Sequence, residues 1–233
     1  MINFESGKSY AYPFPYMEVE NCFDQETLNN LIKEFPDQSK QPVVMGGRKQ
    51  TNLRHHNVDV WKDVAPTWHK LFNWLNDDTV FHSIFNYYID DLIHWDCNLT
   101  NESSLRHPDG DCFTHVDWSI ANDGYVREIH RDTDKRIWNF IIFLSDKDWE
   151  GGDFVIHSSD NLTSYPRQIF GNDVVHAPAV KTIEAKAGRG CFFLSTPNSY
   201  HSVSKQFNTK SDRKFIYGSY SYRNGDVFNK RIK

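Results

Sequence analysis

The chain has 233 residues, 39% hydrophobic and 24% charged, with 17 Phe, 11 Tyr and 7 Trp, which is enough large apolar side chain to bury a core and excludes a disordered chain. Lys and Arg number 26 against 31 Asp and Glu, a formal charge of −5, so no strong positive field exists to hold a phosphate backbone or an anionic bilayer. No apolar run approaches the roughly 20 residues of a membrane span, and Met1 to Pro15 lacks the blocks of a signal peptide. The expectation is a cytoplasmic protein with neither a nucleic-acid nor a membrane partner. Cys22, Cys97, Cys112 and Cys191 lie far apart without a CxxC pair and read as free thiols.

In chain order, residues 1–91 read as a helical support region. Asp24 is placed to cap a helix with apolar positions Leu28, Leu31, Ile32 and Phe35, stapled by Phe23 against Leu28 and stopped by Pro36. A second helix opens at Pro66 with the stripe Trp68, Leu71, Phe72 and Leu75. A third repeats it in Phe81, Ile84, Phe85 and Tyr88. Residues 92–233 change to short β-rich runs: Cys112 to Ile120, Tyr125 to Arg131, Ile137 to Leu144, Phe154 to His157, Cys191 to Ser195 and Lys214 to Tyr222. Asn122-Asp-Gly124 reads as a hairpin turn joining the first two. With no crossover helices between most runs, the sheets should be mainly antiparallel. The expected architecture is one mainly β domain, a β-sandwich or jelly-roll barrel, with the N-terminal helices on an outer sheet face.

Side chains alternate along a strand, so His130 and Asp132 share a face and can hold one metal ion. His201, in Ser199-Tyr-His-Ser-Val203, is the candidate third ligand; two imidazoles and a carboxylate form the facial triad that leaves positions open on Fe(II). Twelve residues later stands Arg213, whose fork suits the far carboxylate of a metal-chelating diacid, with Tyr217 and Ser219 on its face.

The run from His130 through Asp148-Trp-Glu-Gly-Gly152, followed by Tyr200-His-Ser-Val203 and Arg213, resembles the Fe(II)- and 2-oxoglutarate-dependent oxygenases, in their prolyl 4-hydroxylase-like branch. The resemblance covers about residues 112 to 222. It implies a double-stranded β-helix, iron on His130, Asp132 and His201, and the C5 carboxylate of 2-oxoglutarate on Arg213. It also implies an enzyme that consumes O2 and 2-oxoglutarate, with ascorbate as a potential stimulant, and hydroxylates an unactivated C–H bond while releasing succinate and CO2. The substrate classes it implies are a peptidyl or free amino acid or a small metabolite. Where such proteins often carry a Tyr that helps bind 2-oxoglutarate, this chain has Phe143; Asn139, on the same face by parity, is the candidate replacement contact.

His115-Val-Asp117 is a second HxD. In the family pattern the metal pair directly precedes the strand leading to Asp-Trp-Glu-Gly-Gly, which favours His130, six residues before Arg136, over His115, twenty-one before it. Two other functions stay open at this stage: an oxidative demethylase of nucleic acid, disfavoured by the acidic balance, and a non-catalytic jelly-roll module binding metal or sugar.

Overall fold

A computed structural model describes residues 1–38, 41, 43–44, 47–54, 64–77, 79–80, 83, 112–132, 136–165, 174–196 and 198–222. Fourteen strands and two helices are named in chain order among them: β1 (Gly7–Tyr10), β2 (Tyr16–Val19), α1 (Gln25–Lys33), β3 (Val43–Val44), β4 (Arg48–Arg54), α2 (Pro66–Leu75), β5 (Cys112–Ala121), β6 (Arg127–His130), β7 (Arg136–Phe143), β8 (Phe154–His157), β9 (Thr163–Tyr165), β10 (Val174–His176), β11 (Ala179–Ile183), β12 (Gly190–Leu194), β13 (His201–Val203) and β14 (Arg213–Tyr222). The third expected helix falls almost wholly outside the described residues. Neither described helix is long and apolar enough to cross a membrane.

The helices start where their caps dictate. Asp24 accepts from the Thr27 backbone N–H at 2.7 Å and from the Thr27 hydroxyl at 2.8 Å, satisfying one of the orphan donors of α1. Helix α2 begins with Pro66 behind Ala65, which has no capping side chain; the Glu34 carboxylate, at the end of α1, accepts from the Thr67 N–H at 2.9 Å and hydroxyl at 3.0 Å instead. At the other end of α2 the Leu75 carbonyl accepts from the Tyr220 and Thr114 hydroxyls, so the helix is fastened to β14 and β5 by its own unsatisfied backbone.

All pairings are antiparallel. The larger sheet has the order β1-β2-β12-β7-β14-β5-β4-β3 and the smaller the order β11-β8-β13-β6, with β9 and β10 forming a separate ribbon. Strand alternation gives the large sheet two apolar faces. Trp138, Phe140 and Ile142 of β7 join Trp118, Phe192 and Ile216 under Leu28, Leu31, Trp68 and Phe72 of the helices. Ile141 and Phe143 join Phe193 and Phe215 on the opposite face, against Phe154, Ile156, Ile183 and Val203 of the small sheet. This is a jelly-roll arrangement, with the two sheets facing each other but not closed into a barrel.

Two local expectations are corrected. Residues 1–91 are not helical throughout: β1 and β2 extend one edge of the large sheet and β3 and β4 the other. These strands are short or polar, as in Arg-Lys-Gln-Thr-Asn-Leu-Arg of β4, and carry no alternating apolar signal. The turn at Asn122-Asp-Gly124 is present, with Gly124 at φ +86°, but it does not close a hairpin. Strand β5 pairs with β14 and β4, whereas β6 crosses to the small sheet and pairs with β13. A turn motif reports chain reversal, and the partner is chosen by which sheet can bury the next strand.

Candidate metal centre and diacid pocket

That crossing builds the site. It brings His130 opposite His201 in the register of β6 and β13, with ring centroids 4.3 Å apart. Asp132, two residues beyond His130 and past the end of β6, comes to the same place: its Oδ1 lies 4.0 Å from His130 Nε2 and its Oδ2 3.5 Å from His201 Nε2. The three ligand atoms lie within 4.8 Å of one another. Side-chain exposure is 17% for His130, 9% for Asp132 and 3% for His201, so the cluster opens to solvent on the His130 side.

Backbone carbonyls set the tautomers. His130 Nδ1–H donates to the Glu128 carbonyl at 2.7 Å and His201 Nδ1–H to the Ser199 carbonyl at 2.9 Å. Both Nε2 lone pairs therefore point into the cluster, the form a metal requires. Burial, and for His130 also its neighbour His201, pushes both imidazoles below their ordinary pKa and keeps them neutral. Burial alone would raise the Asp132 carboxyl, but the Arg136 guanidinium, helped by the hydrogen bond from the Tyr217 hydroxyl, reverses this and holds it well below the usual carboxylate range. Two neutral imidazoles and one ionised carboxylate are the donor set that suits non-haem Fe(II).

Asp132 is aimed by a second layer of side chains. Arg136 Nη1 donates to its Oδ1 at 3.1 Å and to the Tyr217 hydroxyl at 2.6 Å, while the Tyr217 hydroxyl donates to Asp132 Oδ2. Burial pushes the Tyr217 phenol well above its ordinary pKa, so it remains a donor. Tyr217→Phe deletes that donor and leaves the ligands in place; we expect Mn(II) affinity to fall about tenfold without loss of one-to-one stoichiometry, as measured by metal titration.

From this cluster a cavity of about 280 Å3 runs between the sheets past Ile141, Phe154 and Val203 to Tyr125 and Phe215. Behind those two aromatic residues lies Arg213, fully buried at the start of β14, with its guanidinium carbon 4.4 Å from the Phe215 ring centroid, 5.2 Å from that of Phe143 and 5.5 Å from that of Tyr125. The Tyr125 hydroxyl is the polar group beside it, and none of its three guanidinium nitrogens makes a hydrogen bond of good geometry among the described residues. Burial lowers its pKa to about 10, which leaves it charged at neutral pH. The acid within electrostatic range, Asp153, is held by Lys147 at 2.9 Å. A buried cation with no anion in contact costs several kcal/mol unless one arrives, so the surroundings of Arg213 fit the carboxylate of a bound diacid.

The other expected residues fall as follows. His115 and Asp117 lie on β5, buried and bonded to each other through Nε2 and Oδ1 at 2.7 Å, apart from the His-Asp-His group. Asn139 is buried, its amide donating to Ser195 Oγ at 2.5 Å and its carbonyl 3.2 Å from the Tyr217 hydroxyl; it does not line the cavity. Phe143 meets Arg213 with a ring face. The tyrosine beside Arg213 is instead Tyr125, which sequence reasoning passed over because it sits in the turn region ahead of β6, at no motif spacing from either strand. His157 is a hydrogen-bonded structural histidine, held by the Ala177 carbonyl and Ser202.

Residues 103–220 match the profile of the 2OG-Fe(II) oxygenase superfamily. The chain is similar in structure to a Pseudomonas putida prolyl-4-hydroxylase, with a TM-score of 0.56 and 13% identity over 90% of this chain and 93% of that one. It is also similar to a Burkholderia pseudomallei oxidoreductase of the 2OG-Fe(II) oxygenase family, with a TM-score of 0.53 and 13% identity over 90% and 85%. IDO from Bacillus thuringiensis has a TM-score of 0.53 and 12% identity over 90% and 93%. No curated protein is significantly similar to the chain. At these identities the structural likenesses speak for the fold. The family match spans half the sequence, from ahead of β5 into β14, and contains the His-Asp-His cluster and Arg213 alike; the chain belongs to the 2OG-Fe(II) oxygenase superfamily, and is an oxygenase.

Proposed function

We propose that this oxygenase is a hydroxylase in which His130, Asp132 and His201 hold Fe(II) and Arg213 holds the C5 carboxylate of 2-oxoglutarate. The observation that carries the reading is the pairing of two unmet demands: a facial donor set opening on the cavity, and a buried guanidinium with no described acid in contact behind Tyr125 and Phe215 at the cavity's wall. The net reaction consumes 2-oxoglutarate, O2 and a substrate C–H and yields succinate, CO2 and the corresponding C–OH. When bound, Fe(II) supplies the activation of O2 at the positions the three side chains leave open, and 2-oxoglutarate supplies two of the electrons.

The chain's own contribution is positioning and exclusion. Carbonyls of Glu128 and Ser199 fix the two imidazoles, Arg136 and Tyr217 fix the carboxylate, and Arg213 sets how deeply the diacid sits. Ile141, Phe154, Val203 and Phe215 keep water from the chemistry. The substrate reaches the site from the His130 side, where the cluster is least buried.

The test is succinate formation by purified protein supplied with Fe(II), ascorbate and 2-oxoglutarate, together with a mass-spectrometric screen for +16 Da products among peptides, amino acids and small acids. Hydroxylated product in step with succinate is expected. Metal and 2-oxoglutarate binding without succinate from any mixture would mean that the site binds but does not turn over, and the hydroxylase reading would fall.

A further inference from the structure

The anchor assigned to the co-substrate has no open approach. Arg213 is 0% exposed, all three of its guanidinium nitrogens are sealed from solvent, and it is absent from the lining of the cavity that leads toward it. A carboxylate cannot touch those nitrogens while the aromatic rings around them stay where they stand. One ring has to move.

The three rings that meet the guanidinium, those of Phe215, Phe143 and Tyr125, are not equivalent. Phe143 does not line the cavity, so its displacement would open no path. Phe215 does, but it belongs to β14, an inner strand of the large sheet, and stands in register between Phe143 of β7 and Ser119 of β5. Cross-strand neighbours on both sides hold such a ring in one rotamer. Tyr125 lies outside any strand, between the end of β5 and the start of β6, directly after Gly124 with its φ of +86°. Its backbone is pinned, the N–H donating to the Asn122 carbonyl at 3.1 Å and the carbonyl accepting from the Gln206 N–H at 2.8 Å. Its ring has the cavity on one side and Arg213 on the other. Ala121, opposite Arg213 in the register of β5 and β14, adds only a methyl group to that wall. A fixed backbone therefore carries a ring that separates the cavity from a buried cation.

We propose that Tyr125 is the gate of the co-substrate pocket: where it stands, its ring closes Arg213 off from the cavity, and it turns aside to admit the far carboxylate of the diacid. The inference rests on the assignment of Arg213 as the anchor of 2-oxoglutarate. It adds an obligatory movement and the residue that makes it. Turning the ring gives up the contact between phenol and guanidinium, and only an acid that reaches Arg213 offsets that loss, through charge-assisted hydrogen bonds. A 2-oxo acid without a second carboxylate binds with the gate shut.

The experiment mixes anaerobic Fe(II)-loaded protein with 2-oxoglutarate in a stopped-flow instrument and follows the visible absorption of the chelate. For wild type the observed rate should level off as 2-oxoglutarate rises, because turning of the ring becomes the slow step. With 2-oxobutanoate, which keeps the chelating end and lacks the second carboxylate, the rate should climb in proportion to concentration over the same range. Tyr125→Ala should raise the 2-oxoglutarate ceiling at least tenfold or abolish it, and leave the 2-oxobutanoate rates unchanged. Tyr125→Phe keeps the ring and drops the hydroxyl, so its ceiling should rise by less, about threefold. One-to-one metal binding certifies that each variant is folded, and Tyr125→Leu serves if Tyr125→Ala is not. The proposal is overturned if the two oxo acids show the same concentration dependence in wild type, or if the ceiling survives unchanged in Tyr125→Ala. Wild-type protein that loads Fe(II) and forms no chelate with 2-oxoglutarate would instead remove the co-substrate assignment, and the gate with it.

Discussion

His130→Ala should lower Mn(II) affinity by about 100-fold or more and turnover by about three orders of magnitude, whereas His115→Ala should bind one metal ion per chain as wild type does. The contrast is a sharp one because both histidines belong to an HxD on a β-strand and by parity alone the two pairs are alike. What differs is the strand opposite. β13 brings His201 into register with His130, while β14 brings Ser219 into register with His115. Among the described side chains His115 is bonded to its own Asp117, at 2.7 Å, through Nε2. On the other pair, Arg136 donates to Asp132 Oδ1 and Tyr217 to Oδ2, and the carboxylate and the imidazole stand 4.0 Å apart rather than bonded to each other, which leaves room for an ion. Metal loss in the His115 variant with retention in the His130 variant would reverse the assignment.

The same comparison shows what a sequence can and cannot reveal about such a site. The positions of His130, His201 and Arg213 are legible because each sits at a strand start or end, where period-two alternation assigns its face without knowledge of the partner strand, and Asp132 is legible as the second residue beyond His130 in extended chain. The helices are legible through their caps and stripes: Asp24, Pro66 and the Trp68–Leu75 pattern all reappear as the physical reasons α1 and α2 start and pack where they do. Legibility fails where a residue's role depends on a long-range partner. Arg48 lies in a polar strand that joins the large sheet only because β5 offers an edge, and Tyr125 meets Arg213 across an interval of 88 residues. Parity puts Asn139 on the face of Phe143, but Ser195 from beyond the neighbouring strand already claims its amide. A crossover from one sheet to the other cannot be told from a hairpin when the turn residues, Asn-Asp-Gly, serve both.

Arg213→Met should produce two opposite changes, and their opposition is the test of what the residue is for. Among the described residues no acid touches the side chain; its surroundings are aromatic faces, with the Tyr125 hydroxyl as the polar neighbour. Its pKa falls from the ordinary arginine value to about 10, so between neutral pH and that point the folded state carries a desolvated cation that the unfolded chain would leave in water. Stability lost to this burial would return only as pH rises through about 10. Methionine fills a similar volume without the charge, so the melting temperature of the metal-loaded protein without 2-oxoglutarate should hold or rise. Affinity for 2-oxoglutarate should fall at least tenfold, because charge-assisted hydrogen bonds contribute about 1.5 to 3 kcal/mol each and about 1.4 kcal/mol is one decade. Arg213→Lys should recover part of that affinity, since it keeps the charge and loses the fork. Binding of 2-oxobutanoate, which has the chelating end and no second carboxylate, should not distinguish the variants. A residue that merely braces β14 would give the converse: a lower melting temperature and equal losses for both oxo acids. Anaerobic titration of the Fe(II) protein, followed through the visible absorption of the chelate, measures both affinities, and equal 2-oxoglutarate values for wild type and Arg213→Met would take Arg213 out of the site.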